Sequence, residues 1–352
     1  MTWQDFPKIE LHLHHEGAAP PEFIRRLAQE KSVNLSGIFD DSGSYAFDDF
    51  PDFLRVYEAA ASVLGSPDDY ARLTAEILAR LAGHGVIYAE TFVSPDFCGG
   101  GDVSAWREYL HAMTEAAAQA EAAHGIVWRG VVTCVRHFGP YRSRAAARCA
   151  AETAGQGIVG FGMGGNETMG RQGDFAWAFD CAREAGLGLT THAGEFCGAD
   201  SVRQALDDLR VDRIGHGVRV VEDPALMDRL AASGVVLELC PGSNLALGLY
   251  PDMRAHPIDR LRRAGVRVTV NTDDPPFFHT TMTDEFAALE LAFGWGEEDF
   301  ADITSTALRA AFCDDVTRDT LKERLAAGHP ALAARFSPDR MKTDVFNPDL
   351  LR

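Results

Sequence analysis

Residues 175–195 have the sequence FAWAFDCAREAGLGLTTHAGE. Apolar residues at helical spacing fill the first half and predict a helix over residues 175–185, with Gly186 at the position of a helix C-cap. The apolar run 187–193 that follows predicts a strand, and polar residues stand at its end. One helix and one strand therefore form a unit, joined by a single glycine.

The same alternation recurs along the chain. Short apolar runs, rich in β-branched residues, predict eight strands over residues 9–14, 86–93, 126–135, 158–163, 187–193, 213–217, 235–240 and 266–272. Stretches rich in Ala and Leu predict helices between them, including 70–82, 106–123, 175–185, 224–232 and 258–264. Strands that alternate with helices, and that are apolar enough to be covered on both faces, favour a parallel (β/α)8 TIM barrel. An open doubly wound sheet is the alternative.

A long insertion, residues 20–85, separates the first two strands. It contains an acidic and aromatic segment, residues 39–50, and at the catalytic end of a barrel it would serve either as a lid or as helices that only pack. The sequence after Met282 predicts further C-terminal helices. Because no repeat or linker interrupts the chain, we expect a single barrel domain over residues 1–352, with the insertion as its lid.

The composition of the chain disfavours several classes of binding partner. The chain has 33 Lys and Arg against 52 Asp and Glu, a formal charge of −19, which disfavours nucleic acid and anionic membranes. No stretch of 18 apolar residues and no export signal are seen, and the seven cysteines include no C-x-x-C pair. We therefore expect a soluble cytoplasmic protein without a disulfide framework; the sequence does not indicate its oligomeric state.

Unusual polar residues cluster at the C-terminal ends of the predicted strands. They are His12, His14, Glu90, His192, Glu195, His216, Asp273 and Asp274. In a barrel these ends converge on one mouth, where barrel enzymes carry out chemistry.

Four of these residues form a candidate metal site. His12 and His14 lie two apart on one strand and therefore point into the same space, whereas His15 must point the other way. His192 adds a third nitrogen ligand and Asp273 an oxygen ligand, a set typical of one zinc ion per chain, although ferrous iron would also fit. Bound zinc lowers the pKa of its water to about 7, so a metal hydroxide is the expected nucleophile.

The neighbouring polar residues suggest proton transfer and ligand binding. Glu195 is placed to shuttle a proton between that water and a substrate atom. His216 would orient the water or stabilise negative charge, unless it is only a core histidine, and Asp274 would face the substrate. The segment Gly160-Phe161-Gly162-Met163-Gly164-Gly165 matches G-x-G-x-x-G, but no helix is predicted to open there, so a dinucleotide site is rejected. Its bare N–H groups would instead contact a flat heterocycle, or form a simple turn.

Five motifs together resemble the adenosine deaminase family, in the family's order. They are Pro7-Lys8-Ile9-Glu10-Leu11-His12-Leu13-His14-His15-Glu16-Gly17, His192-Ala193-Gly194-Glu195, Arg213-Ile214-Gly215-His216-Gly217, Glu238-Leu239-Cys240-Pro241-Gly242-Ser243-Asn244 and Asn271-Thr272-Asp273-Asp274-Pro275. The resemblance implies a metal-dependent barrel hydrolase that replaces the 6-amino group of a purine with oxygen and releases ammonia.

The resemblance also implies a role for each matching residue. The metal ligands would be His12, His14, His192 and Asp273. Glu195 would protonate purine N1, and His216 would position the zinc water and help to deprotonate it. Asp274 would bind N7, and the backbone N–H of Gly165 would contact N3.

Two positions bear on the substrate. Glu16 stands where the nucleoside enzymes of the family often have Asp, and it could accept a hydrogen bond from a ribose 5′-hydroxyl. Ser94-Pro95 resembles the nucleoside group, whereas the adenine deaminase group tends to have Phe-Asp-Pro-Gln. We therefore expect adenosine or 2′-deoxyadenosine as the substrate, with adenine or a modified adenosine as the alternative. A non-catalytic nucleoside-binding protein is disfavoured, because it need not keep a proton donor beside a metal.

Overall fold

Eight parallel strands form a (β/α)8 TIM barrel in a computed structural model that describes residues 2–337. The strands follow one another around the barrel in chain order. Their bounds are β1 Lys8–His14, β2 Val86–Val93, β3 Val127–Val135, β4 Ile158–Gly164, β5 Gly188–Ala193, β6 Arg213–His216, β7 Val236–Leu239 and β8 Arg267–Val270. The predicted fold class is thus confirmed. Met1 and the end of the predicted helical tail, residues 338–352, lie outside the described residues.

The strands agree with the predicted runs to within one or two residues, and β8 is the shortest relative to its prediction. It stops at Val270, and the side chain of the next residue, Asn271, adds hydrogen bonds to both neighbouring strands. The Asn271 Oδ1 accepts from the N–H of Leu11 at 3.0 Å, and its Nδ2 donates to the carbonyl of Leu239 at 3.2 Å. An amide side chain therefore joins β8 to both neighbouring strands at the point where the strand ends.

The barrel closes between β1 and the residues that follow β8. The N–H of Asp273 donates to the carbonyl of His12, and the N–H of His14 donates to the carbonyl of Asp273, each at 2.9 Å. Asp273 adopts a left-handed backbone with φ of 65°, which is unfavourable for a residue with a side chain. The two backbone bonds hold it in that conformation, beside two of the predicted ligands.

Fifteen α-helices surround the strands within residues 2–337. Those between strands or in the insertion are α1 Pro21–Lys31, α2 Phe50–Ala61, α3 Pro67–Gly83, α4 Val103–His124, α5 Pro140–Glu152, α6 Ala176–Glu184, α7 Ala199–Gln204, α8 Pro224–Ser233, α9 Pro241–Ala246 and α10 Ile258–Arg263. The C-terminal helices are α11 Pro275–Phe278, α12 Met282–Phe293, α13 Glu297–Ala310, α14 Asp315–Gly328 and α15 Pro330–Arg335. The glycines predicted to follow helices, Gly125, Gly186, Gly234 and Gly265, all have positive φ. Among residues 2–337, no helix is long and apolar enough to cross a membrane.

The insertion between β1 and β2 supplies α1, α2 and α3. Asp49 and Ser66 cap α2 and α3 by accepting from backbone N–H groups in the first turn, as acidic and hydroxyl N-caps do. Aromatic side chains of this region pack onto α11 beside the barrel mouth: Tyr45 stacks on Phe277, and Phe53 lies 5.2 Å from Phe278 between ring centroids. The insertion therefore covers the end of the barrel at which the polar residues lie.

Candidate active site

The four predicted metal ligands converge at the mouth of the barrel. Within the described residues, one ligand atom from each of His12, His14, His192 and Asp273 lies within 4.8 Å of the others. The Nε2 atoms of His14 and His192 are 3.1 Å apart, and the Asp273 Oδ1 lies 3.3 Å from the His14 Nε2 and 3.4 Å from the His12 Nε2. Three nitrogens and one carboxylate oxygen thus face a common point.

Hydrogen bonds to the far side of two rings turn a lone pair toward this point. The carbonyl of Met163 can only accept, so His192 Nδ1 carries the hydrogen of their 2.9 Å bond and Nε2 has the lone pair. His12 Nδ1 lies 2.8 Å from Glu238 Oε2, and its buried Nε2 has no hydrogen-bond partner among the described residues. Such arrangements are those of metal-binding histidines. The donor set therefore fits a divalent transition metal.

The surroundings of Asp273 favour the charged form of its carboxyl group. Burial opposes its charge, but the close imidazole rings of His12 and His14 hold the pKa of Asp273 well below its usual range. Its second oxygen, Oδ2, accepts from the hydroxyl of Ser243 at 2.7 Å. One oxygen is thus fixed by the protein while the other faces the histidines.

Glycine lets the ligands approach the barrel wall. A Cβ at Gly215 would lie 2.6 Å from Cε1 of His12 and 3.3 Å from Nδ1 of His192, closer than a side chain tolerates. Glycine at position 215, next to His216, therefore allows the two rings to approach closely.

Glu195 lies on the loop after β5 and is almost completely buried. Burial, reinforced by the charge of Asp273, raises the pKa of Glu195 well above its usual range. A raised pKa favours the protonated form of this carboxyl group. A protonated carboxyl group can act as an acid, as the predicted transfer of a proton by Glu195 requires.

A chain of hydrogen bonds fixes the tautomer of His216. The N–H of Ile258 donates to Nδ1 of His256 at 3.2 Å, so the neutral His256 donates through Nε2 to Asn244 Oδ1 at 3.1 Å. The Asn244 Nδ2 then faces Glu195 Oε1 at 3.1 Å and His216 Nδ1 at 3.3 Å. His216 consequently accepts at Nδ1 and carries its hydrogen on Nε2, which lies 3.8 Å from Asp273 Oδ2. Burial lowers the pKa of His216 to about 3, so the ring is neutral.

Glu167 holds the loop that carries Glu195, and sequence reasoning gave it no role. Its buried carboxyl group accepts from the hydroxyl of Ser201 at 2.6 Å and from four consecutive backbone N–H groups, those of Gly194, Glu195, Phe196 and Cys197. The only signal for this residue was its place directly after the glycine-rich end of β4. Asn244 ends one of the five family motifs, whereas nothing in the sequence pointed to His256.

Asp274 and Glu16 lie on either side of Gly17. Burial, together with the neighbouring charge of Asp273, raises the pKa of Asp274 well above its usual range, and its Oδ1 has no hydrogen-bond partner among the described residues. Burial raises the pKa of Glu16 to about 7. Glu16 accepts from the hydroxyl groups of Tyr70 at 2.9 Å and Tyr57 at 3.3 Å, so its oxygens are already engaged by the protein.

Two of the histidine and glutamate positions lie away from the mouth. His15 points outward, as predicted, and bonds to Thr91 and Thr74 at 3.1 and 3.0 Å. Glu90 was grouped with the strand ends, and this was wrong: it lies in the middle of β2, where its Oε2 pairs with the buried Arg213 at 2.7 Å. It faces the interior because residues in mid-strand point alternately inward and outward.

A cavity of about 70 Å³ lies over these groups. Gly165 lies at its wall, at the end of β4, in a left-handed conformation with φ of 95°. None of the described residues around the cavity is Lys or Arg; they are His14, Glu16, Phe50, Phe53, Leu54, Tyr57, Glu58, Phe92, Ser94, Phe97, Thr133, Cys134, Val135, His137, Gly164, Gly165, His192, Glu195, His216, Leu247, Asp273, Asp274 and Phe278. All predicted site residues except His12 line this cavity, and His12 lies directly beneath it as a ligand of the same cluster.

Comparison with known proteins gives consistent matches over most of the chain. Residues 7–328 match the family model described as Adenosine deaminase. The adenine deaminase of Rhizobium leguminosarum bv. trifolii is 48% identical over 319 residues, which cover 90% of this chain and 98% of that protein. The crystal structure of adenine deaminase from Arthrobacter aurescens has a TM-score of 0.84 and 30% identity, covering 91% of this chain and 98% of that one. An amidohydrolase from Burkholderia ambifaria, with bound Zn, has a TM-score of 0.83 and 27% identity, covering 97% and 94%.

Proposed function

Because the chain belongs to the adenosine deaminase family, we propose that it hydrolyses adenine to hypoxanthine and ammonia. The observation that carries the reaction type is the protonated Glu195 beside four converging metal ligands. A bound zinc or ferrous ion supplies a Lewis acid that makes water a nucleophile at neutral pH. The remaining chemistry falls to the side chains around the cavity.

These side chains match the polar atoms of a 6-aminopurine. Glu195, kept neutral by burial, donates its proton to N1, which makes C6 more electrophilic. Asp274, also kept neutral by burial, donates to N7, which is an acceptor, and the N–H of Gly165 donates to N3. His216 directs its Nε2–H toward the attacking oxygen, which favours a role in positioning this oxygen and stabilising its charge over removal of its proton.

The choice of adenine departs from the expected adenosine. Relatives 48% and 30% identical to this chain are adenine deaminases, so the comparisons support the alternative better than the nucleoside. Glu16 offers a physical reason, because two tyrosine hydroxyls already donate to the carboxyl group that was expected to bind a ribose 5′-hydroxyl and would compete with that hydroxyl. Ser94 lies at the cavity wall.

The size and charge of the cavity also support a free base. A cavity needs about 10–15 Å³ to hold one water, so about 70 Å³ leaves room for a small ligand. The carboxyl groups at the cavity and the lack of Lys or Arg among its described lining residues disfavour a phosphate. An uncharged base needs no room for a sugar and is not repelled by the carboxyl groups.

Product analysis in isotopic water tests the proposed reaction. The metal-loaded protein is incubated with adenine in H₂¹⁸O, and hypoxanthine and ammonia are quantified by mass spectrometry and an ammonia assay. We expect one ¹⁸O atom in each hypoxanthine and one ammonia per hypoxanthine. Unlabelled hypoxanthine, or none, would contradict hydrolytic deamination of adenine.

A further inference from the structure

A hydrogen bond joins the insertion to the barrel at the rim of the cavity. Glu58 on α2 lies 3.1 Å, Oε1 to Nε2, from His137, which belongs to the short helical turn Arg136–Phe138 after β3. Both residues line the cavity, and their side chains are 45% and 17% exposed. We call this Glu58–His137 bond the latch.

The latch does not depend on a charged histidine. The N–H of Asn166 donates to the His137 Nδ1 at 3.2 Å, so the neutral ring carries its hydrogen on Nε2. That hydrogen points to the carboxyl group of Glu58. A neutral acceptor at position 58, such as the oxygen of an amide, would therefore preserve the bond.

Both ends of the latch are anchored. On the barrel side, the neighbouring Arg136 donates to the carbonyls of Met169 and Gly170 at 2.7 and 2.8 Å, which ties the turn after β3 to the loop after β4. On the insertion side, α2 also presents Phe53 and Tyr57 to the cavity. The latch therefore joins the helix that forms the aromatic roof of the cavity to the turn after β3.

His137 also packs against the glycine expected to contact the purine. A Cβ on Gly165 would lie 2.7 Å from the His137 Nδ1, so the ring covers this residue directly. In the proposed function, the Gly165 N–H contacts N3 of the base. N3 and N9 are both bonded to C4, so a substituent on N9 would leave the cavity along the edge that His137 and Glu58 occupy.

We propose that the latch selects a free 6-aminopurine base by closing the space that a sugar on N9 would need. This inference rests on the proposed function, because the position of N9 follows from the contact between Gly165 and N3. Glu58 and His137 are thus specificity-determining residues, and the insertion takes part in substrate choice as a lid.

The test compares two substitutions at one position. Glu58→Ala removes the latch, whereas Glu58→Gln keeps an oxygen that accepts from His137. Values of kcat/KM are measured for adenine and adenosine with each metal-loaded variant. Glu76→Ala, which removes an exposed ion pair with Arg80 on α3, is the matched control for a general weakening of the insertion.

We expect the ratio of kcat/KM for adenosine to that for adenine to rise about tenfold or more in Glu58→Ala and to stay near the wild-type ratio in Glu58→Gln and Glu76→Ala. An unchanged ratio in Glu58→Ala, whether both activities persist or fall together, would overturn the inference. So would a Glu58→Gln variant that behaves like Glu58→Ala. Wild-type protein that deaminates adenosine but not adenine would instead contradict the proposed function itself.

Discussion

At the scale of single residues, Glu195 shows how burial prepares an acid. Its carboxyl group bonds to Asn244 and lies near the metal ligands without being one of them, and burial raises its pKa, which favours the protonated form. An amide of the same shape would preserve the packing but could not transfer a proton.

Glu195→Gln should therefore keep its metal and lose activity. We expect kcat on adenine to fall by about 10²–10⁴-fold, while the metal content measured by elemental analysis stays at the wild-type level. Turnover close to that of the wild type would contradict the role assigned to Glu195.

His192 has a different role, because its Nε2 lone pair is directed at the cluster by the bond to Met163. His192→Ala should lower the metal bound per chain after dialysis against a weak chelator, measured by elemental analysis. The control is His111→Ala, which removes an exposed histidine on α4. Equal metal content in the two variants would remove His192 from the ligand set.

At the scale of elements, the loops after the strands determine where the catalytic groups lie. Residues 194–197 leave β5 and direct four backbone N–H groups at the carboxyl group of Glu167, which comes from the loop after β4. One buried carboxyl group thus aligns two neighbouring strand ends.

Glu167→Gln should disturb this loop, because an amide places an NH₂ group where one carboxyl oxygen now accepts. We expect kcat on adenine to fall by about tenfold or more, with faster hydrogen exchange of the amides of residues 194–197. Glu184→Gln, at an exposed position on α6, should change neither measurement. Wild-type kcat and exchange in Glu167→Gln would show that this carboxyl group does not position Glu195.

The segment before α10 gives a prediction about pH. Burial lowers the pKa of His256 to about 3 from an ordinary 6.5. Below pH 6.5 the unfolded chain binds a proton that the folded chain refuses, so the contribution of His256 to the free energy of unfolding is lost as the pH falls toward 3. The slope is at most about 1.4 kcal/mol per pH unit.

His256→Gln removes this titration, so its free energy of unfolding should vary less steeply with pH than that of the wild type. Urea unfolding from about pH 4 to about pH 7 measures both slopes. Parallel slopes for the two proteins would show that His256 does not titrate as its burial implies. His111→Gln, at an exposed position, should retain the wild-type slope.

The sequence predicted the strands, the helix caps and the residues that converge at the mouth, because each follows from periodicity or from the geometry of parallel strand ends. It did not reveal partners that meet only in three dimensions. Glu167, Asn244 and His256 act through hydrogen bonds between distant segments. Glu90 was misplaced for the same reason, since its partner Arg213 lies on another strand.

At the scale of the whole molecule, the formal charge of −19 reflects an excess of carboxyl groups, and several of these groups lie at the cavity. Carboxyl groups surround the ligand space: burial raises the pKa of Glu195 and of Asp274, whereas the pKa of Asp273 beside the histidines is held low. The site therefore combines one anionic ligand with acids that donate, which suits a neutral heterocycle rich in acceptor nitrogens.

Barrel closure also belongs to this scale, because the same residue completes the barrel and the metal site. Asp273 bonds through its backbone to both His12 and His14, so the geometry of the ligands depends on the closed barrel. Residues of α2 in the insertion also line the cavity.

The most direct test of the central claim is a comparison of kcat/KM for adenine, adenosine, 2′-deoxyadenosine and AMP on one metal-loaded preparation, followed by ammonia release. We predict that adenine exceeds each of the other three by about 100-fold or more, since the latch at the rim of the cavity disfavours the sugar and the acidic lining repels the phosphate. A higher kcat/KM for adenosine or AMP than for adenine would contradict the account.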